Sequence, residues 1–132
     1  MSNQLRPLVF SLLLVTAGLC FAADHSGIKP QTRVLQRVDV PNTAYQEGLG
    51  ITEFAPYAIK DQQAQTGPEV CYVLEGEITY VAKGREPKIM SAGESYQIPA
   101  GEVHWSKAGP RGAKILATWV LEKGKSFAIP VP

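Results

Sequence analysis

Between Gln63 and Cys71 the chain reads QAQTGPEVC. Glu69 opens what reads as a buried strand, EVCYVLEG, and a lone carboxylate stripped of water is costly unless something pairs with it. Two glutamines, Gln63 and Gln65, precede it at alternate positions, and Cys71 follows two residues on. The other group of interest is His104, in EVHWS, which shares a strand face with Glu102. A buried glutamate rises in pKa and an imidazole titrates near neutrality, so Glu69 and His104 form a candidate general acid/base pair. If Cys71 faces the same way, Cys71, His104 and Glu69 offer thiol, imidazole and carboxylate to a soft divalent ion. In the plainer arrangement His104 pairs with Glu69, Gln63 and Gln65 complete the hydrogen bonds, and Cys71 is a small buried hydrophobe. A histidine-rich zinc, iron or copper centre cannot be built from one chain, because the other histidine, His25, falls in an N-terminal arm. No nucleophile with an adjacent base, no phosphate loop and no second carboxylate at motif spacing accompanies these groups.

The elements that must position them are short strands. TRVLQRVDV (32–40), LGITEFAP (49–56), EVCYVLEG (69–76), EITYVAKG (77–84), PKIMSAG (87–93), ESYQIPAG (94–101), EVHWS (102–106) and AKILATWVL (113–121) all read as extended. They are rich in β-branched and aromatic residues, and Gly or Pro bounds most of them. KGREP (83–87) reads as a hairpin loop; SAGES (91–95) and IPAGE (98–102) read as tight turns that need glycine. Alternation puts Glu69, Cys71 and Val73 on one face of their strand and Val70, Tyr72 and Leu74 on the other. Both faces are largely apolar, so both are expected to be covered. Trp105, Trp119, Phe54 and Tyr72 are expected to pack. Tyr80 and Tyr96 carry hydroxyls whose facing alternation does not fix. Glu102, at a turn, is expected to be solvated, as are Lys83, Arg85, Lys88, Lys107, Arg111 and Lys114. Regularly spaced strands in a short chain predict an all-β sandwich or small barrel.

The N-terminus has a different character. Arg6 precedes the apolar run PLVFSLLLVTAGL, and CFAAD closes it with small residues. That is the layout of a cleavable signal peptide, residues 1–22, with an apolar run too short for a comfortable membrane span. AGLC as a lipoprotein box, with Cys20 lipidated, is the weaker alternative, because Leu19 stands where a small residue is wanted. The mature chain, 23–132, then has 110 residues (132 − 22) and forms one domain with its core at about 45–123, located in the periplasm or secreted. Of 13 Lys and Arg and 12 Asp and Glu, cleavage removes only Arg6, leaving 12 of each. A balance near zero without a basic patch argues against nucleic acid as a partner, and against a membrane once the signal is gone. Cys71 is then the single cysteine, so no intramolecular disulfide is expected.

GESYQIPAGEVHW (93–105) resembles the second motif of the cupin family, with Gly93, Pro99, Gly101 and His104 at the motif's spacing and Ala108 where an Asn is usual. EVCYVLEGEI (69–78) resembles the end of the first motif, with Glu69 and Gly76 correctly spaced. The whole chain is similar to small exported bacterial single-domain cupins of the type-2, quercetinase-like group. The resemblance implies a cupin double-stranded β-barrel of jelly-roll type with a pocket in its mouth. It also implies a metal seat made by the two histidines of a His-x-His segment, the glutamate and the second-motif histidine. Aligned without a gap, Gln63 and Gln65 occupy the two histidine positions, while Glu69 and His104 keep their identities. A glutamine oxygen is a poor donor to a transition metal beside imidazole, and calcium prefers more carboxylates. No tightly bound cofactor is therefore expected, and a divalent metal is left as the family's alternative.

Three function classes follow. The first expectation is a binding module that holds an unknown small molecule in its barrel through Gln63, Gln65, Glu69, Cys71 and His104. The second is a metal-free isomerase, epimerase or dehydratase working through Glu69 and His104. A metal-dependent dioxygenase with a degenerate seat at Gln63, Gln65, Glu69 and His104 is third, since two of its imidazoles are gone. A homodimer is expected, because a free strand edge in a short β-domain invites pairing; Tyr45 to Phe54 and the tail after Lys123 are the expected contacts.

Overall fold

The structure, a computed structural model, describes residues 27–132. The expected signal peptide (1–22), Cys20 and His25 lie outside the described residues. The described residues form strands β1 (Gln31–Asp39), β2 (Tyr45–Phe54), β3 (Ile59–Gln65), β4 (Glu69–Ala82), β5 (Lys88–Ser91), β6 (Ser95–Ile98), β7 (Val103–Glu122) and β8 (Ala128–Pro130).

Two long strands make the frame. β4 and β7 pair antiparallel from Glu69 opposite Trp119 to Ala82 opposite His104. Each bends at a glycine in the left-handed region, Gly76 and Gly112, both with φ 74°. The two bends abut, and a Cβ on Gly76 would lie 2.1 Å from the Gly112 carbonyl oxygen. Only glycine tolerates that conformation and that approach. On one side of the bend the strand order is β1-β2-β7-β4-β6; on the other it is β8-β3-β7-β4-β5. The halves fold over each other as a curled antiparallel sheet, the all-β double-stranded barrel that the resemblance implies.

The bend also exchanges the inward face. The β4–β7 register shifts between Val73 and Glu75 and again between Gly76 and Ile78. Before the shift Glu69, Cys71 and Val73 are buried; after it Ile78, Tyr80 and Ala82 are. β7 switches in the same way, from His104, Ser106 and Ala108 to Ile115, Ala117, Trp119 and Leu121. The apolar ones among these inward residues, with Phe54, Met90 and Ile98, make the core.

Several expectations need correction. EVCYVLEG and EITYVAKG are one strand, and so are EVHWS and AKILATWVL, because each pair is joined through a bent glycine rather than a turn. Polar IKDQQAQ forms β3, and the tail forms β8 beside it. The outer face of β4 is not covered by this chain: Val70 is 57% exposed, Tyr72 45% and Leu74 38%. β2 has no free edge, since it lies between β1 and β7.

Candidate functional site

The turn Thr66-Gly67-Pro68 fixes the first part of the site. It lies hard against β7: a Cβ on Gly67 would sit 1.9 Å from the Val120 carbonyl oxygen, and the Val120 amide donates to the Pro68 carbonyl at 3.2 Å. Gln65 and Glu69 flank this turn, both buried. Gln65 Nε2 donates to Glu69 Oε2 at 2.7 Å. Since a carboxylate only accepts, the amide must present its nitrogen there. Its other end, Oε1, is buried without a hydrogen-bond partner, and so is Gln63 Nε2.

His104 lies on β7 opposite Gln63 of β3. Its Nδ1 lies 3.2 Å from the Glu102 carbonyl oxygen. A carbonyl only accepts, so Nδ1 carries the proton and Nε2 of the neutral ring is an acceptor. The sequence reading paired His104 with Glu69; instead His104 bonds to backbone and Glu69 to Gln65. Glu69, Cys71 and His104 do line one cavity, together with Lys60, Tyr80, Tyr96 and Ser106. Its free volume is about 20 Å³, room for about one water molecule.

Burial governs the ionisation of this cavity. It pushes the Glu69 carboxyl up, against the smaller pull of Lys60 and the hydrogen bonds from Cys71 and Gln65. It pushes His104 down, so the ring is held neutral. Burial and the nearby Glu69 charge push the Cys71 thiol far up. A thiol must ionise to bind a metal well, so Cys71 is a poor ligand as it stands. Among the described residues no three His, Cys, Asp or Glu side chains converge as a metal-holding group, so Cys71, Glu69 and His104 share a cavity without forming a ligand set.

Tyr80 and Tyr96 form a wall. Their rings lie 5.4 Å apart, and Tyr80 is 5.3 Å from the His104 ring. Burial pushes both hydroxyls up, so they stay protonated. The Tyr80 hydroxyl donates to Glu102 Oε1, and Arg85 pairs with Glu102 Oε2 at 3.2 Å. The Glu102 side chain is only 10% exposed, which corrects its expected solvation. The same two tyrosines border an outer pocket of about 460 Å³ that also touches Arg85, Lys88, Met90 and Glu94.

Sequence reasoning missed Lys60. Strict alternation sets it opposite in facing to Gln63 and Gln65. A bulge lies between Lys60 and Gln63, where Lys60 stands opposite Ser106 but Gln63 stands opposite His104. Three steps on β3 match two on β7, and Lys60 turns inward. No residue pattern in IKDQQAQ marks that bulge.

Comparison with known proteins fits this geometry. The family described as "Cupin domain" matches residues 50–120. No curated protein matches the chain in sequence. Among solved structures, the DMSP lyase DddQ from Ruegeria pomeroyi superposes with a TM-score of 0.65 at 13% identity, covering 78% of this chain and 52% of that one. A cupin-like protein from Thermotoga maritima gives 0.62 at 20% identity, covering 77% and 75%. An uncharacterized protein with a double-stranded β-helix domain from Klebsiella pneumoniae gives 0.63 at 18% identity, covering 81% and 89%. At these identities the likeness is one of fold, and the chain spans about half the length of the lyase it matches.

Proposed function

The chain belongs to the cupin family, and from that premise we propose that it binds a small polar molecule at its barrel without a tightly held transition metal. The observation that carries this reading is hydrogen-bonding capacity left unspent. Gln65 Oε1 and Gln63 Nε2 are buried without partners, and such atoms cost roughly 1–3 kcal/mol each unless something meets them. At Gln63 an apolar side chain would serve a purely structural core better, and at Gln65 the bond to Glu69 uses only the nitrogen end of the amide. The inner cavity has the volume of a water, so the body of an organic ligand belongs in the 460 Å³ pocket beyond Tyr80 and Tyr96, which neither glutamine lines and which joins the inner cavity at the two tyrosines; its volume is within the usual range for small-molecule sites. The donor set does not fit a transition metal: of the four family positions, two are amides, and the Gln65 amide turns its nitrogen, not its oxygen, to Glu69.

A thermal-shift screen of small carboxylic acids, phenols and sugars tests the proposal. The expected result is a stabilising compound whose effect disappears in Tyr96→Ala and Gln65→Leu. A hit unaffected by both variants, or none from a broad set, counts against it.

One observation favours the acid/base alternative. Burial moves Glu69 up and His104 down on the same cavity, which leaves a proton acceptor, His104 Nε2, beside a carboxyl that holds its proton more firmly. Turnover of a binding compound that is lost in both Glu69→Gln and His104→Gln would select it. Export through the signal segment and assembly as a homodimer belong to the same proposal.

A further inference from the structure

The bulge in β3 brings one cation inside. Among the described residues, Lys60 is the only Lys or Arg on the inner cavity and Glu69 its only carboxylate. The Lys60 ammonium lies 5.7 Å from the centre of the Phe127 ring, near enough for a cation–π attraction. Phe127 is itself fixed, edge-on to Trp119 at 5.0 Å and by a hydrogen bond from the Thr66 hydroxyl to its carbonyl at 2.7 Å. The tail thus places an aromatic ring beside the ammonium of the half-buried lysine.

A buried carboxylate needs compensation. Gln65 supplies one hydrogen bond to Glu69 but no charge. We infer that the Lys60 ammonium is the resident cation of this barrel, held under Phe127 and balancing Glu69 across the cavity in the role a divalent metal would have. The inference rests on the metal-free reading above. No ion pair within 4 Å joins Lys60 to Glu69, so the balance acts through space. Lys60 still acts on Glu69 by charge alone, and opposite charges beyond contact distance at an effective dielectric of about 20 bias an equilibrium by about tenfold or more. The same field opposes any added cation. Lys60 therefore does two things: it lets Glu69 stay buried, and it keeps divalent ions out.

The test uses the full chain and two independent measurements. Calorimetric titration with Mn²⁺ compares the wild type, Gln63→His/Gln65→His, and that pair combined with Lys60→Met or Lys60→Arg. The histidine pair should bind Mn²⁺ weakly while Lys60 or Arg is present, and about tenfold or more tightly with Met. Equal affinity in all three histidine backgrounds, or none in any, overturns the inference about Lys60. Tight binding by the wild type instead overturns the metal-free reading. The second measurement is a melting cycle at pH 8. Lys60→Met should lower Tm clearly when Glu69 is present and much less in Glu69→Gln. An equal drop in both backgrounds means that Lys60 contributes packing alone, and the inference fails.

Discussion

Replacing Gln65 with Met keeps the length and volume of the side chain and removes both ends of its amide. Its effect should depend on pH, because the two ends sit in opposite situations. Nε2 donates to Glu69 at 2.7 Å; Oε1 has no partner. A hydrogen bond to a charged, buried group contributes about 1.5–3 kcal/mol, and removing an unsatisfied carbonyl returns about 1 kcal/mol. With Glu69 ionised the net loss is therefore about 0.5–2 kcal/mol. With Glu69 protonated the bond is an ordinary neutral one of about 1 kcal/mol, and the two terms nearly cancel. The pH window follows from Glu69. Its folded pKa is raised above the ordinary value of 4.5 by burial, and the Gln65 bond is one of the influences holding it down. Without that bond it rises further. A carboxyl raised on folding leaves stability intact below pH 4.5 and costs stability as pH climbs through the folded pKa. The mutant should thus match the wild type near pH 4 and fall behind by pH 8. For a domain of this size each kcal/mol of that deficit at pH 8 lowers Tm by about 4–8 °C. Circular-dichroism melts at both pH values measure it. An equal drop at pH 4 and pH 8 would mean that Gln65 acts by packing, and no drop at pH 8 would mean that the bond to Glu69 contributes nothing.

The other predictions are shorter. Glu69→Gln and His104→Gln should abolish the thermal shift given by a binding compound while each keeps the fold; ligand shifts unchanged in both variants would move the site elsewhere. Gly67→Ala forces a methyl against the Val120 carbonyl and should cost about 1–3 kcal/mol in urea unfolding; a wild-type midpoint would show that the turn is free to move. Elemental analysis of untagged protein after mild chelation should find well under one equivalent of iron, manganese, nickel, copper or zinc. Light scattering at micromolar concentration should give a dimer mass, and Tyr72→Lys, on the exposed face of β4, should shift it to monomer; a monomeric wild type refutes the assembly.

The barrel was legible because it is written in features a sequence displays directly. Glycines mark Gly93 and Gly101, both at positive φ, and β-branched runs mark most strands. β3 escaped because IKDQQAQ has almost none of the residues that favour a strand; it is extended because β7 and β8 flank it. β8 escaped because Pro130 makes it read as tail, yet an edge strand accommodates a proline.

The site was legible only where alternation runs unbroken. Glu69 and Cys71 share a face with nothing between them but Val70, and the reading of both as inward agrees with their burial. Tyr80 is different. It is nine positions beyond Cys71, so strict alternation predicts the opposite face, and it points inward because the register shifts around Gly76 move the strand by one. Lys60 is the same case on β3, turned inward by the bulge before Gln63. Both residues line the inner cavity; the irregularity that turns Tyr80 inward is marked by Gly76, while the one that turns Lys60 inward leaves no residue signature. The two glutamines look like a loss when only the ligand positions are compared. On the Lys60 inference they have a counterpart: amides at the family's two histidine positions go with a lysine on the cavity that Glu69 lines.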